Sequence, residues 1–157
     1  MKATLKQVLE SQNELSRLYG LSLPPKVKYW VGRIQNKAQA IAKEFMDMHN
    51  QRITDQGEQI VMELIPAAGG VEATETEPAV AAIPARQEWR VVAEGEDVST
   101  KQTQYRIKAE DTEAFNAATE EIVSSEVEIP FDAINISDLG DVKIEFDLMK
   151  LDWMLAE

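Results

Sequence analysis

No cysteine occurs among the 157 residues, which excludes a disulfide framework, a thiol nucleophile and a cysteine zinc site, and permits a reducing cytosol. Histidine is almost as scarce. With His49 alone, a multi-histidine metal site is impossible, and a serine triad would have to use one residue on a long helix, without an orienting partner in sight. No apolar run approaches the roughly 20 residues that span a bilayer, and Met1-Lys2-Ala3-Thr4-Leu5-Lys6 lacks the apolar stretch of a signal peptide. A soluble chain is expected. Gly69-Gly70 has no Gly-Lys-Ser/Thr after it, so no phosphate loop is present. Aromatic residues make up only 6% of the chain, and with an acidic excess this suggests that part of it lies outside the core.

What is present is a charge division. Residues 1–57 carry nine Lys and Arg against five Asp and Glu, and residues 58–157 carry seven against 23, so +4 and −16 make up the net −12. Such halves can neutralise each other or meet different partners. At this length one core is feasible, burying about 68–70% of the unfolded chain's surface, and a single domain over 1–157 is expected.

Thr4 and Gln7 have capping-box spacing, and Leu5, Val8, Leu9, Gln12, Leu15 and Leu18 follow on one face, with Gly20 just past the end. One helix of about four turns is predicted. Pro24-Pro25 breaks it, and Pro25 suits the opening turn of a second helix. From Val27 the apolar positions Val31, Ile34, Ala38, Ile41, Phe45 and Met48 advance by alternating fours and threes. A helix from Lys26 to about Gln56 would be on the order of 45 Å long, more than the first helix can cover. Either the rest of the chain covers that seam or two copies pair through it, and pairing is the preferred expectation. Residues 1–57 are thus read as a helical hairpin.

Residues 58–110 read as an insertion: a strand over 59–65, a flexible loop over 66–87 rich in Ala, Glu, Pro and Gly, and a β-hairpin of 88–93 with 104–108. Residues 111–157 form an acidic α/β part. Asp111 is placed to cap a third helix ending near Ser124, followed by strands at 126–129 and 133–136. Val142, Ile144, Phe146 and Leu148 alternate as a strand, whereas Ile144, Leu148, Leu151 and Leu155 step as a helix; a strand turning into a final helix by about Asp147 is preferred. The fold class is mixed α+β.

The order of a helix, Leu23-Pro24-Pro25-Lys26-Val27-Lys28-Tyr29, a long helix ending near a glycine and a variable insertion opens a recognisable series. Ala114-Phe115, Glu126-Val127-Glu128-Ile129, Ile136-Ser137-Asp138-Leu139 and Leu151-Asp152-Trp153-Met154-Leu155 continue it. In this series the chain resembles a family of small, uncharacterised tailed-bacteriophage proteins, over residues 3–57 and 111–157. The resemblance implies phage origin and residence in the host bacterial cytoplasm or the virion. It carries no catalytic site.

A non-enzymatic protein is therefore expected, with no cofactor and no metal, because the carboxylates Asp138, Asp141, Glu145, Asp147 and Asp152 lack calcium-loop spacing. The first functional expectation is a structural or assembly factor of a phage particle; the second is an acidic inhibitor of a host or defence nucleic-acid-binding protein. Lys26, Arg33 and Lys37 share an outer helical face with Trp30 beside them, and these four with Trp89 and Trp153 are the candidate interaction residues. So weak a basic stripe points to a protein partner, from phage or host, or to a second copy in a homodimer, rather than to nucleic acid or a membrane.

Overall fold

Thr4 opens the first helix as its spacing predicts: its hydroxyl accepts the Gln7 amide at 3.2 Å and its own amide donates to Gln7 Oε1 at 2.8 Å. The structure is a computed structural model that describes residues 1–70, 74–75, 79 and 81–156. It divides into two compact units, Met1–Asn50 with Thr112–Glu157, and Gln51–Asp111. The second unit closely follows the expected insertion, which therefore packs as a body of its own where a single domain is read from the sequence. Both contain helix or sheet, and the class is mixed α+β.

In the first unit, β1 (Lys2–Thr4) leads into α1 (Leu5–Glu10) and α2 (Gln12–Gly20), two helices where one is predicted. Ser11 makes the division. Its hydroxyl and the Gln12 side-chain amide both donate to the Val8 carbonyl, at 3.1 and 2.8 Å, and so compete for an acceptor of the helical ladder. Pro25 then starts α3 (Pro25–Gln56), where a missing amide hydrogen costs nothing. Its 32 residues extend about 48 Å.

The seam of α3 is covered by its own chain. Val31, Ile34 and Ala38 are fully buried, and Val27 and Phe45 nearly so, in or beside a core that includes Val8, Leu15 and Leu18 as well as Ile129, Leu139, Leu151 and Met154. Ile41 is half-buried and only Met48, at the far end, is exposed. Of the apolar area that motivates pairing of two copies through this helix, the Val27–Phe45 seam is thus withdrawn from water, while Trp30 and Met48 stay exposed.

Two short ladders close the unit. β1 pairs antiparallel with β5 (Glu126–Glu128), setting Ala3 opposite Val127 after α4 (Thr112–Val123), and β6 (Ile134–Asn135) pairs in parallel with β7 (Leu155–Ala156). Asp111 lies in the 3-10 turn Ala109–Asp111 that precedes α4, rather than standing alone as its cap. Residues 142–147 belong to neither strand nor helix. Their two-residue rhythm survives as burial, with Val142, Ile144, Phe146 and Leu148 against the core and Lys143, Glu145 and Asp147 in water. The final helix does begin at Asp147, as one 3-10 turn, Leu148–Leu151, whose Met149 amide donates to the Asp147 carboxylate at 2.9 Å.

The second unit is a three-stranded antiparallel sheet of β2 (Glu58–Ile65), β3 (Arg86–Val91) and β4 (Thr103–Arg106), in the order β3-β2-β4. The two strands predicted to pair with each other are separated by β2. This follows from burial: Ile60 and Val61, adjacent and so on opposite faces, are both buried, as suits a central strand, whereas β3 and β4 are mostly exposed. Gly57 permits the close approach that begins the sheet, since a Cβ there would lie 2.4 Å from the Ile53 carbonyl oxygen and 2.6 Å from that of Arg106. Of the loop expected over 66–87, Arg86 and Gln87 belong to β3, and Ala68 and Ile83 exchange two 3.0 Å backbone bonds. Residues 71–73, 76–78 and 80 of that expectation lie outside the described residues.

A charge network ties the turn after β3. Arg90 holds Glu96 through Nη1 and Nη2 at 2.8 and 2.7 Å, Lys101 adds a third contact at 2.7 Å, and the Ala93 amide donates at 3.1 Å. The Arg90 hydrogen bonds, then those of Lys101 and Ala93, hold the Glu96 carboxyl far below the usual carboxylate range. A depressed folded value means that the contribution is complete above the unfolded value of about 4.3 and is lost as pH falls towards and through the folded one. The Ala93 amide is expected to stay protected from exchange from about pH 6 down to about pH 3, after correction for intrinsic rates, and to lose protection only at still lower pH, where the folded Glu96 carboxyl itself takes up a proton. Glu96→Gln should lose it already at neutral pH, and equal protection in both proteins would contradict the network's role.

Candidate functional site

The opening turns of α3 carry Lys26, Tyr29, Trp30 and Arg33, and helical spacing places Tyr29 and Arg33 one above the other. Arg33 Nη1 donates to the Tyr29 hydroxyl at 3.3 Å. The segment after β5 brings a third ring: the Met1 ammonium donates to the Ile129 and Phe131 carbonyls at 2.9 and 2.8 Å, and Phe131 settles 6.2 Å from Trp30. Tyr29 and Trp30 meet edge to face at 5.3 Å and 74°.

Arg33 is therefore surrounded by rings. Its guanidinium carbon lies 5.1 Å from the centre of Phe131, 5.6 Å from Trp30 and 5.9 Å from Tyr29. Each contact of this kind is worth about 0.5–1 kcal/mol at an exposed site. The cluster nonetheless faces water, with Tyr29 59% and Trp30 38% exposed.

Trp30 stands between two wells. The first, about 520 Å³, is lined by Pro24, Lys26, Trp30 and Ile134 with the carboxylates of Asp132 and Asp138. The second, about 470 Å³, is lined by Trp30, Arg33, Pro130 and Phe131 with Glu128 and again Asp132. Among the described residues, Lys26, Glu128, Asp132 and Asp138 enter no ion pair, and Asp138 accepts only a long 3.4 Å bond from Asn135. The site is amphipathic: ring surface flanked by uncompensated charge.

The other candidates fall elsewhere. Lys37 lines a separate well with Ile41, Phe45 and Met48. Trp89 is half-buried in β3 opposite Met62, in the second unit. Trp153 is corrected outright as an interaction residue: it is 7% exposed and its Nε1 donates to Ser11 Oγ at 3.2 Å, so it belongs to the core. His49 is held between Phe45 and Phe115, at 5.6 and 5.4 Å, with its Nδ1 buried and unpartnered among the described residues. Glu14 is buried in the core wall, and the Lys150 ammonium at 3.0 Å holds its carboxyl below the usual range.

Sequence reasoning did not place Tyr29, Phe131 or Asp132 at this face, and weighed Asp138 only as a cation ligand. The Tyr29–Arg33 spacing was a usable signal; the Pro130-Phe131-Asp132 segment carried none, because only folding brings it some 100 positions back to the helix. No group of His, Asp and Glu suited to a metal ion occurs among the described residues, and no described helix is long and apolar enough to cross a membrane. No protein-family model matches the chain, and neither a curated protein nor a solved structure matches it.

Proposed function

We propose that this chain is a non-enzymatic interaction protein and that it binds its partner through the Trp30–Arg33 face. The observation that carries the reading is the ring-stacked, water-facing Arg33. Tryptophan, tyrosine and arginine are the residues most often found to dominate binding energies at protein interfaces. A guanidinium resting on three rings is already weakly hydrated and already held in one place, so burying it under a partner costs less than burying a free lysine.

The resemblance to small tailed-phage proteins supports assembly of a phage particle as the setting, with the infected cytoplasm or the virion as location. The acidic-inhibitor reading is weaker. Glu58, Glu63, Glu88 and Glu96 of the sheet unit are each ion-paired to an arginine, which removes them from a phosphate-like display.

The test is recovery of the intact tagged chain from infected cells, with particles separated from soluble host complexes. Particle-bound chain should fall by about tenfold in Trp30→Ala/Arg33→Ala, as expected when hot-spot residues are truncated. Equal recovery of wild type and variant would refute the assigned face. Recovery only with a soluble nucleic-acid-binding protein would favour the second reading.

A further inference from the structure

We infer that the two wells beside Trp30 receive an extended, proline-containing segment of the partner that carries a basic residue; this deepens, and rests on, the interaction reading above. Three features of the face lead there. First, the walls are rings: Pro24 and Trp30 on one side, Trp30, Pro130 and Phe131 on the other. A ridge with a shallow well on each side suits a ligand that presents compact apolar rings on successive turns. A polyproline II segment does so with three residues per turn, and it enters already extended, losing little conformational entropy.

Second, Trp30 Nε1 makes no hydrogen bond among the described residues, although the residue is only 38% exposed. A polyproline II backbone makes no internal hydrogen bonds, so its carbonyls are free to accept from that indole. A helical ligand would have spent most of its carbonyls on itself.

Third, the wells carry Glu128, Asp132 and Asp138 without ion pairs; of the cations beside them, Arg33 is committed to rings and the Met1 ammonium to the Ile129 and Phe131 carbonyls, and Lys26 lines the first well without an ion pair. Asp132 borders both wells. An arginine or lysine flanking the proline run would find a carboxylate free of ion pairs in either one, whereas an acidic flank would meet two carboxylates at each and a free cation, Lys26, only at the first.

The experiment is calorimetric titration of the full chain with three blocked peptides: one of repeated Pro-Pro-Ala ending in two arginines, one with its prolines replaced by glycine and serine, and one with its arginines replaced by glutamate. The first should bind about tenfold or more tightly than either control, a difference of about 1.4 kcal/mol. Trp30→Ala should abolish the preference. Trp30→Phe, which keeps a ring but removes the donor, should weaken the first peptide while leaving thermal unfolding unchanged, and Asp132→Asn with Asp138→Asn should reduce the advantage over the glutamate peptide.

Equal binding of the glycine-serine peptide would overturn the inference by reducing it to charge, and absence of binding by all three would overturn it altogether. If either happens while the particle-bound fraction still depends on Trp30 and Arg33, the interaction reading stands and only its ligand class fails. Loss of both results would remove both.

Discussion

Replacing Trp153 by alanine should cost the fold about 3–5 kcal/mol, the largest effect expected of any single substitution in this chain. The indole is buried among Leu151, Met154, Ile129 and the α1–α2 residues, so its removal leaves a cavity that the neighbouring elements can fill only in part. It also strips the Ser11 hydroxyl of its donor at 3.2 Å. Trp153→Phe separates the two contributions, keeping most of the ring volume and losing the hydrogen bond for about 1–3 kcal/mol. Chemical denaturation of the two variants with Ser11→Ala, as a double-mutant cycle, measures the coupling. A wild-type midpoint for Trp153→Ala would show that the residue is not the keystone described here and would reopen its assignment as a surface residue.

The second large effect falls on the seam of α3. Ile34 is fully buried and should lose about 2–5 kcal/mol on replacement by alanine. Ile41, half-buried one heptad later, should lose clearly less. Periodicity alone ranks the two equally; the difference arises because the core against Val31 and Ile34 is supplied by α2 and the C-terminal segment, while the Ile41–Met48 stretch borders an open well. Equal losses, or none, in urea titrations of the two variants would contradict the packing.

These two positions also show what the sequence could and could not disclose. Ile34 was visible as a core residue because a long helix repeats its signal over seven positions, and the bounds of α3 and the Thr4–Gln7 box were visible for the same local reason. Trp153 was misjudged because its role depends on a hydroxyl 142 positions away. β1 and β7, of three and two residues, were not read from the sequence, whereas the equally short β5 and β6 were, because the residues around them continue the alternation. In the sheet unit the strands themselves were legible and their neighbours were not, since pairing order is set by which strand has both faces to bury.

The site divides along the same line. Lys26, Trp30 and Arg33 were found through helical spacing, a local property. Phe131, Asp132 and Asp138, which turn a weak basic stripe into a ring-walled, acid-bordered face, reach it only through the fold of the C-terminal segment. An apparent cation stripe thus becomes an aromatic one, and the expected contact chemistry shifts from charge to ring stacking.

The central claim, that this face meets a partner, is tested most directly by placing a photo-crosslinking amino acid at Tyr29, which is 59% exposed and borders the cluster, in the intact chain within infected cells. The control carries the same group at Glu121, an exposed position on α4. The account predicts a discrete crosslink from position 29 to a component of the phage particle, lost when Trp30 and Arg33 are both replaced by alanine, and none from position 121. Crosslinking from position 121 but not from 29, or none beyond background from either, would contradict it.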